Sequence, residues 1–269
     1  MSTPLRQILR NHVKEKLARD EVVASMVVRL VRHVEIARIA KSSGFDTLYV
    51  DLEHSMFSID VCSQICMTAL EAGITPFVRV PTHGPEFVSR ALDGGALGVI
   101  APHVRSAAEA AAVVRHAKYP PMGERSAGGP LAQYQFRDYP VEEANAAAND
   151  ATAVIAMMET KDALDRVEEI AAVPGVDLLL IGTNDLCGEL GIHGQYGHKL
   201  VREAYSRTIT ACRKHGKHVG VGGLASRPDL VAELVAEGAR YISIGSDLSF
   251  LLGAAAEKAA FVRGLKAGK

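Results

Sequence analysis

From about residue 20 onward, short runs of aliphatic and β-branched residues take turns with longer alanine-rich segments of helical spacing, and few folds accept that pattern. The extended runs fall at 25–30, 47–51, 76–80, 97–101, 152–158, 177–181, 218–221 and 241–244. Helical segments fall between them at 33–42, 60–72, 85–93, 106–117, 161–171, 199–215 and 227–236, and a last one at 250–265. Several runs, such as Leu178-Leu179-Leu180-Ile181, are apolar throughout, which is what strands of a parallel sheet covered on both faces require. Eight strand–helix pairs in one chain of 269 residues predict an α/β (β/α)8 TIM barrel spanning 1–269 as a single domain. The competing open, doubly wound sheet lacks its phosphate fingerprint here. No G-x-G-x-x-G follows the first run, and Gly220, Gly222 and Gly223 come late and in another pattern.

Two segments stand outside the alternation. Residues 4–17, within an N-terminal helical region taken as 1–20, place Leu5, Ile8, Leu9, Val13 and Leu17 on one helical stripe behind Pro4. That helix is expected across the lower end of the barrel or against a neighbouring subunit. Residues 119–139 form a long connection after the fourth strand, with Tyr134, Phe136 and Tyr139 available either to cover a site or to bury an interface. The charge balance, 30 Lys and Arg against 31 Asp and Glu, carries no footprint of a nucleic-acid or anionic-membrane binder. Apolar runs stay far short of the ~20 residues of a membrane span. Basic residues scattered through the first twenty positions leave no room for a secretory core, so a cytoplasmic protein is expected. The four cysteines show no metal or redox spacing, and Cys62 and Cys66, one helical turn apart, read as core.

In a barrel, chemistry gathers where the strands end and the βα loops converge. The second run ends in Asp51-Leu52-Glu53-His54, the third carries Arg79, the fifth ends in Met157-Met158-Glu159, and the sixth runs into Gly182-Thr183-Asn184-Asp185. A charge at the end of one apolar strand can be an ordinary salt bridge or helix cap, as Arg79 with Glu53 or Asp185 before the next helix. Four strands with the same feature point to a site, because buried charge is costly unless it is paired or holds an ion. Glu159 and Asp185 offer hard oxygen donors that suit a divalent ion keeping water and substrate oxygens, Mg²⁺ or Mn²⁺ rather than structural zinc. Arg79 suits a developing oxyanion, and His54 is the imidazole placed for proton transfer, with Asp51 three residues earlier to orient it. No lysine lies within a strand, which disfavours imine chemistry.

The runs Tyr49-Val50-Asp51-Leu52-Glu53-His54, Pro76-Phe77-Val78-Arg79, Tyr119-Pro120-Pro121-Met122-Gly123-Glu124-Arg125 and Leu180-Ile181-Gly182-Thr183-Asn184-Asp185-Leu186 resemble the HpcH/HpaI aldolase family of class II pyruvate aldolases. The resemblance runs in order over about residues 20 to 265. It implies a barrel of the phosphoenolpyruvate/pyruvate superfamily, assembled as a homohexamer (a trimer of dimers) whose last helix is exchanged between partner subunits. It implies Glu159 and Asp185 as ligands of Mg²⁺, Mn²⁺ or Co²⁺, Arg79 on the enolate oxygen, and His54 as acid/base with Asp51 beside it. Asp93 would reach a neighbouring subunit's histidine. The backbone N–H groups of Asn184 and Asp185 would hold the substrate carboxylate, and Leu224 would face the acceptor aldehyde. Two departures touch the pocket. Met157 stands where the family often has glutamine, and Gly182-Thr183-Asn184-Asp185 replaces its common Gly-Pro-Ala-Asp turn.

The activity this implies is reversible cleavage of a 4-hydroxy-2-oxo acid to pyruvate, or a close 2-oxo acid, and an aldehyde. Two other barrel chemistries stay open at this level. One is cleavage of acyl-CoA thioesters of the malyl- or citryl-CoA type, for which no basic cluster is evident. The other is phosphosugar chemistry on a cradle of Gly222-Gly223 and Gly245-Ser246. A barrel kept only as a binding or assembly module is the non-enzymatic reading.

Overall fold

Eight parallel strands close on themselves in chain order in a computed structural model that describes residues 5–265. Two short helices, α1 (Leu5–Ile8) and α2 (His12–Ala18), precede β1 (Val23–Val28). Then follow α3 (Glu35–Ser42), β2 (Thr47–Asp51), α4 (Ile59–Ala72), β3 (Thr75–Arg79), α5 (Pro85–Asp93), β4 (Gly98–Ala101) and α6 (Ala107–Ala117). The second half contains α7 (Val141–Ala151), β5 (Ala153–Met158), α8 (Lys161–Asp165), α9 (Val167–Ala171), β6 (Leu178–Gly182), α10 (Thr183–Glu189) and α11 (Lys199–Lys214). It closes with β7 (His218–Gly222), α12 (Pro228–Glu237), β8 (Tyr241–Ser246) and α13 (Asp247–Gly264). The eight-stranded barrel expected from the alternation is present, each strand within two residues of its sequence-based bounds.

Strand periodicity divides the core in two. Residues of one parity, among them Leu48, Val50, Val78, Val154, Ala156, Leu179 and Ile181, pack outward against the helices. The other parity, Tyr49, Phe77, Ile155, Met157, Leu178, Leu180 and Tyr241, fills the barrel interior. Asp51, Arg79, Glu159 and Gly182 continue this inward parity at the upper strand ends. The side chains that follow the apolar stack are therefore aimed into the mouth. Asp247, at the start of α13, is a buried carboxylate that accepts the backbone N–H groups of Arg29, Leu30 and Val31 and ties the segment after β1 to the end of β8.

The N-terminal segment covers the lower end of the barrel, burying Leu5, Leu9, Val13 and Leu17 against the interior stack. It is two helices rather than one. Asn11 accepts from Lys14 N–H as the cap of α2 while its amide donates to the carbonyls of Leu97 and Ala151 at 3.0 and 2.7 Å, pinning the break to the barrel floor. Pro4 lies outside the described residues. The 119–139 segment joins the C-terminal end of α6 to α7, so it too lies at the lower end, and it does not cover this chain's own mouth. Gln133 donates to the carbonyls of Leu92 and Ala96 there, and Tyr119 and Tyr134 are buried. α7 buries only Ala147, Ala148, Asn149 and Ala151, which is why no apolar stripe announced it. All four cysteines are buried. Among the described residues no helix is long and apolar enough to cross a membrane.

Candidate active site

The upper end of the barrel opens into a cleft of about 540 Å³, lined by Asp51, His54, Arg79, Glu159, Asn184 and Asp185 over a floor that includes Tyr49 and Met157. Strand register explains the assembly. Asp51 and Arg79 are paired positions of β2 and β3, so their side chains leave the sheet side by side. Arg79 grips Asp51 with two bonds, Nε to Oδ1 at 3.0 Å and Nη2 to Oδ2 at 2.6 Å. Burial acts against both charges, but the pairing outweighs it: Asp51 is held below the usual carboxylate range and Arg79 above its ordinary value.

Asp51 does not touch the His54 ring. Its Oδ1 accepts the backbone N–H groups of Glu53 and His54, each at 3.1 Å, so it fixes the turn that presents them. This corrects the expected carboxylate–imidazole pairing, because β2 ends at Asp51 and the turn carries His54 outward, half-exposed over the cleft. The nearest carboxylate to the ring is Glu53, with Oε2 3.6 Å from Nε2. That oxygen also lies 3.2 Å from Arg79 Nη1, yet it is buried and accepts no aligned hydrogen bond.

Glu159 follows Met158, whose partner on β6 is Ile181, so the next residues, Glu159 and Gly182, oppose one another. A Cβ at 182 would lie 2.3 Å from Glu159 Oε1, so the glycine is the space the carboxylate occupies. Glu159 is 2% exposed, and burial raises its pKa to about 6 against the opposing pull of His103, with Asp185 among the groups that push it further up. His103, which sequence reasoning passed over, donates its backbone N–H to Glu159 Oε2 at 2.9 Å. Its ring bridges onward, with Nδ1 3.1 Å from the same oxygen and Nε2 2.9 Å from Glu53 Oε1. Asp51, Arg79, Glu53, His103 and Glu159 therefore form one continuous polar belt around the mouth from β2 to β5.

Asn184 and Asp185 sit in the first turn of α10, where backbone N–H groups have no intrahelical acceptor. Thr183 anchors that turn through Oγ1, which donates to the Gly222 carbonyl at 2.6 Å and meets the Tyr205 hydroxyl at 2.8 Å. Tyr196 donates to Asn184 Oδ1 at 2.8 Å, a further contact that sequence reasoning missed. Among the described residues no three His, Cys, Asp or Glu side chains converge as a complete protein cage. A buried glutamate against an exposed aspartate instead fits a hard divalent ion that takes its other ligands from substrate and water. Gly223, at φ 81°, lies against the Asn184 side chain, and Gly245 lies under the Phe250 ring. A Cβ at Gly222 would lie 3.2 Å from the Ile181 carbonyl oxygen, so packing accounts for all three glycines of the alternative phosphate cradle.

Two expected residues do not line this chain's own cleft. Asp93, expected to act across a subunit boundary, ends α5 at the lower end of the barrel, where it pairs with Arg125 Nη2 at 2.6 Å. Leu224 is 1% exposed and packs in the outer core, while its neighbours Ala225 and Ser226 line the cleft.

The closed parallel barrel carries an acidic pair and a buried arginine–carboxylate pair at its mouth, and residues 25–254 match the HpcH/HpaI aldolase/citrate lyase family. The chain belongs to that family. It is 40% identical over 216 residues, 80% of each chain, to a 4-hydroxy-4-methyl-2-oxoglutarate aldolase of Hapsidospora irregularis. It is 33% identical over 241 residues to a 2-keto-3-deoxy-L-rhamnonate aldolase of Escherichia coli, covering 89% of this chain and 88% of the relative. The crystal structure of an HpcH/HpaI aldolase from Desulfitobacterium hafniense DCB-2 superposes with a TM-score of 0.90 at 31% identity, covering 95% of this chain and 98% of that one.

Proposed function

We propose that this chain is a divalent-metal-dependent aldolase that reversibly cleaves a 4-hydroxy-2-oxo acid to pyruvate, or a close 2-oxo acid, and a carbonyl fragment. The observation that carries the reading is the convergence of Asp51, Arg79, Glu159 and Asp185 from four strand ends on one cleft beside His54. Curated relatives named as aldolases, one of them for 4-hydroxy-4-methyl-2-oxoglutarate, support it.

Glu159 and Asp185 are the residues that would hold the ion. Bound there, Mg²⁺, Mn²⁺ or Co²⁺ supplies Lewis-acid polarisation of a keto oxygen. Arg79 presents a permanent, buried positive charge already oriented by Asp51, at the place where negative charge grows on that oxygen. His54, half-exposed at the rim, accepts the proton of the C4 hydroxyl, directly or through a water, as the C3–C4 bond breaks. The electron pair of that bond passes to C3 of the 2-oxo acid fragment, which then takes up a proton to give pyruvate. The free N–H groups of the α10 first turn receive the substrate carboxylate. Met157 in place of a family glutamine makes this floor less polar.

The same reading includes a homo-oligomer, a hexamer built as a trimer of dimers. α13 supports it: Asp247 is its one buried residue, while Leu251, Leu252, Phe261 and Val262 are 59–66% exposed, an apolar surface that a partner would cover. In such an assembly Asp93 is the residue that reaches a neighbouring subunit's histidine.

The test is a panel of 4-hydroxy-2-oxo acids assayed for pyruvate release. Cleavage that needs the ion is expected. Release of no pyruvate from any member, or full release in excess chelator, overturns the proposal.

A further inference from the structure

The peptide joining Pro102 to His103 is held from both sides. His83 Nε2 donates to the Pro102 carbonyl at 2.6 Å, and the His103 N–H on the other face of the same peptide donates to Glu159 Oε2 at 2.9 Å. His103 itself sits at φ 53°, in the left-handed region that histidine, asparagine and aspartate enter more readily than other residues with a side chain. This conformation brings backbone and ring to bear on one carboxylate oxygen, since Nδ1 lies 3.1 Å from Oε2. The far side of the ring is fixed in turn by Glu53 Oε1, 2.9 Å from Nε2. Glu53 lies against Arg79, and Arg79 against Asp51.

We propose that His103 is a positioning residue for Glu159. It occupies Oε2 and leaves Oε1, packed against Gly182, as the oxygen that meets the ion. The inference rests on the reading of Glu159 as a metal ligand and adds how its side chain is held. A free glutamate loses rotamer freedom when it binds an ion. Here the clamp of His103 and the wall at Gly182 fix the carboxylate beforehand, so less ordering is left for the binding step. Removing an outer partner of a ligating carboxylate typically weakens metal affinity by about 10–100-fold.

The variants separate ring from backbone. His103→Gly keeps the left-handed conformation and the N–H donor and removes only the ring. His103→Asn restores a donor where Nδ1 stood and also tolerates the conformation. Binding of Mn²⁺ alone to the full-length, metal-stripped protein is followed by electron paramagnetic resonance of the free ion, with thermal unfolding of the stripped proteins alongside. His103→Gly is expected to bind Mn²⁺ about 10–100-fold more weakly than wild type. His103→Asn is expected to recover most of that loss, with unfolding midpoints of the stripped proteins alike. Affinity unchanged in His103→Gly, or equally poor in His103→Asn, overturns the role of the ring while leaving Glu159 as ligand. Failure of wild type to bind Mn²⁺, or binding undiminished in Glu159→Gln, removes the ligand reading itself and the His103 role with it.

Discussion

Gly182→Ala asks whether the position of one carboxylate controls this cleft. The added methyl carbon would lie 2.3 Å from Glu159 Oε1, 2.7 Å from Cγ and 2.9 Å from Cδ, where ordinary contacts begin at 3.4 Å. Glu159 must therefore retreat by about 1 Å. It has little room to do so, being 2% exposed and held on its other oxygen by His103. Gly182 has φ −83° and ψ 86°, within reach of alanine, so the substitution brings steric pressure without left-handed strain. Overpacking of this kind costs about 1–3 kcal/mol, which a barrel of this size survives. A misplacement near 1 Å costs roughly 10²-fold in rate. The expected result is a folded protein with a normal circular dichroism spectrum whose kcat/KM for a cleaved 4-hydroxy-2-oxo acid falls by about 100-fold. Wild-type kcat/KM in a folded Gly182→Ala protein would refute the claim that Glu159 needs this geometry.

Arg79→Met leaves Asp51 buried without its partner, so urea unfolding should show a loss of about 3–5 kcal/mol. Arg79→Lys keeps a charge without the two-pronged grip and should lose about 10²–10³ in kcat in steady-state assays; an unchanged kcat removes Arg79 from the chemistry. For Glu159 the folded pKa of about 6 lies above its usual 4.5, so its contribution is full below pH 4.5 and declines as pH rises through 6. Above that range the buried anion costs the metal-free protein about 2 kcal/mol. Urea unfolding in chelator should accordingly find Glu159→Gln more stable than wild type at pH 7.5 and nearly equal at pH 4, and the opposite sign contradicts the burial argument. Light scattering should give wild type a mass that is a multiple of 28.7 kDa, and a double substitution Leu251→Glu and Phe261→Glu on α13 should lower it. A monomeric wild type contradicts the proposed assembly.

The barrel was legible because strand and helix periods are local: eight apolar runs bounded by alanine-rich segments leave little choice of architecture. The charged strand ends were legible for the same reason, since Asp51, Arg79 and Glu159 fall on the parity of the interior stack. What depends on neighbouring strands was not. His103 stands in Ala101-Pro102-His103-Val104, where nothing local marks a bridge to Glu53 and Glu159. Asp51 was read as a partner of the His54 ring because the two are three residues apart, yet register hands its carboxylate to Arg79 and its remaining capacity to the turn. The break at Asn11 escaped notice because the stripe of Leu5, Leu9, Val13 and Leu17 continues across it, while its cause is contact with Leu97 and Ala151. Leu224 lies just past the left-handed Gly223, which turns the chain so that it packs outward instead of into the mouth.

The most direct measurement is pyruvate formation from 4-hydroxy-4-methyl-2-oxoglutarate by metal-stripped protein, before and after Mn²⁺ is restored, with Glu159→Gln in parallel. The account expects negligible turnover when stripped, recovery with Mn²⁺, and no recovery in the variant. Equal turnover in all three samples would contradict it.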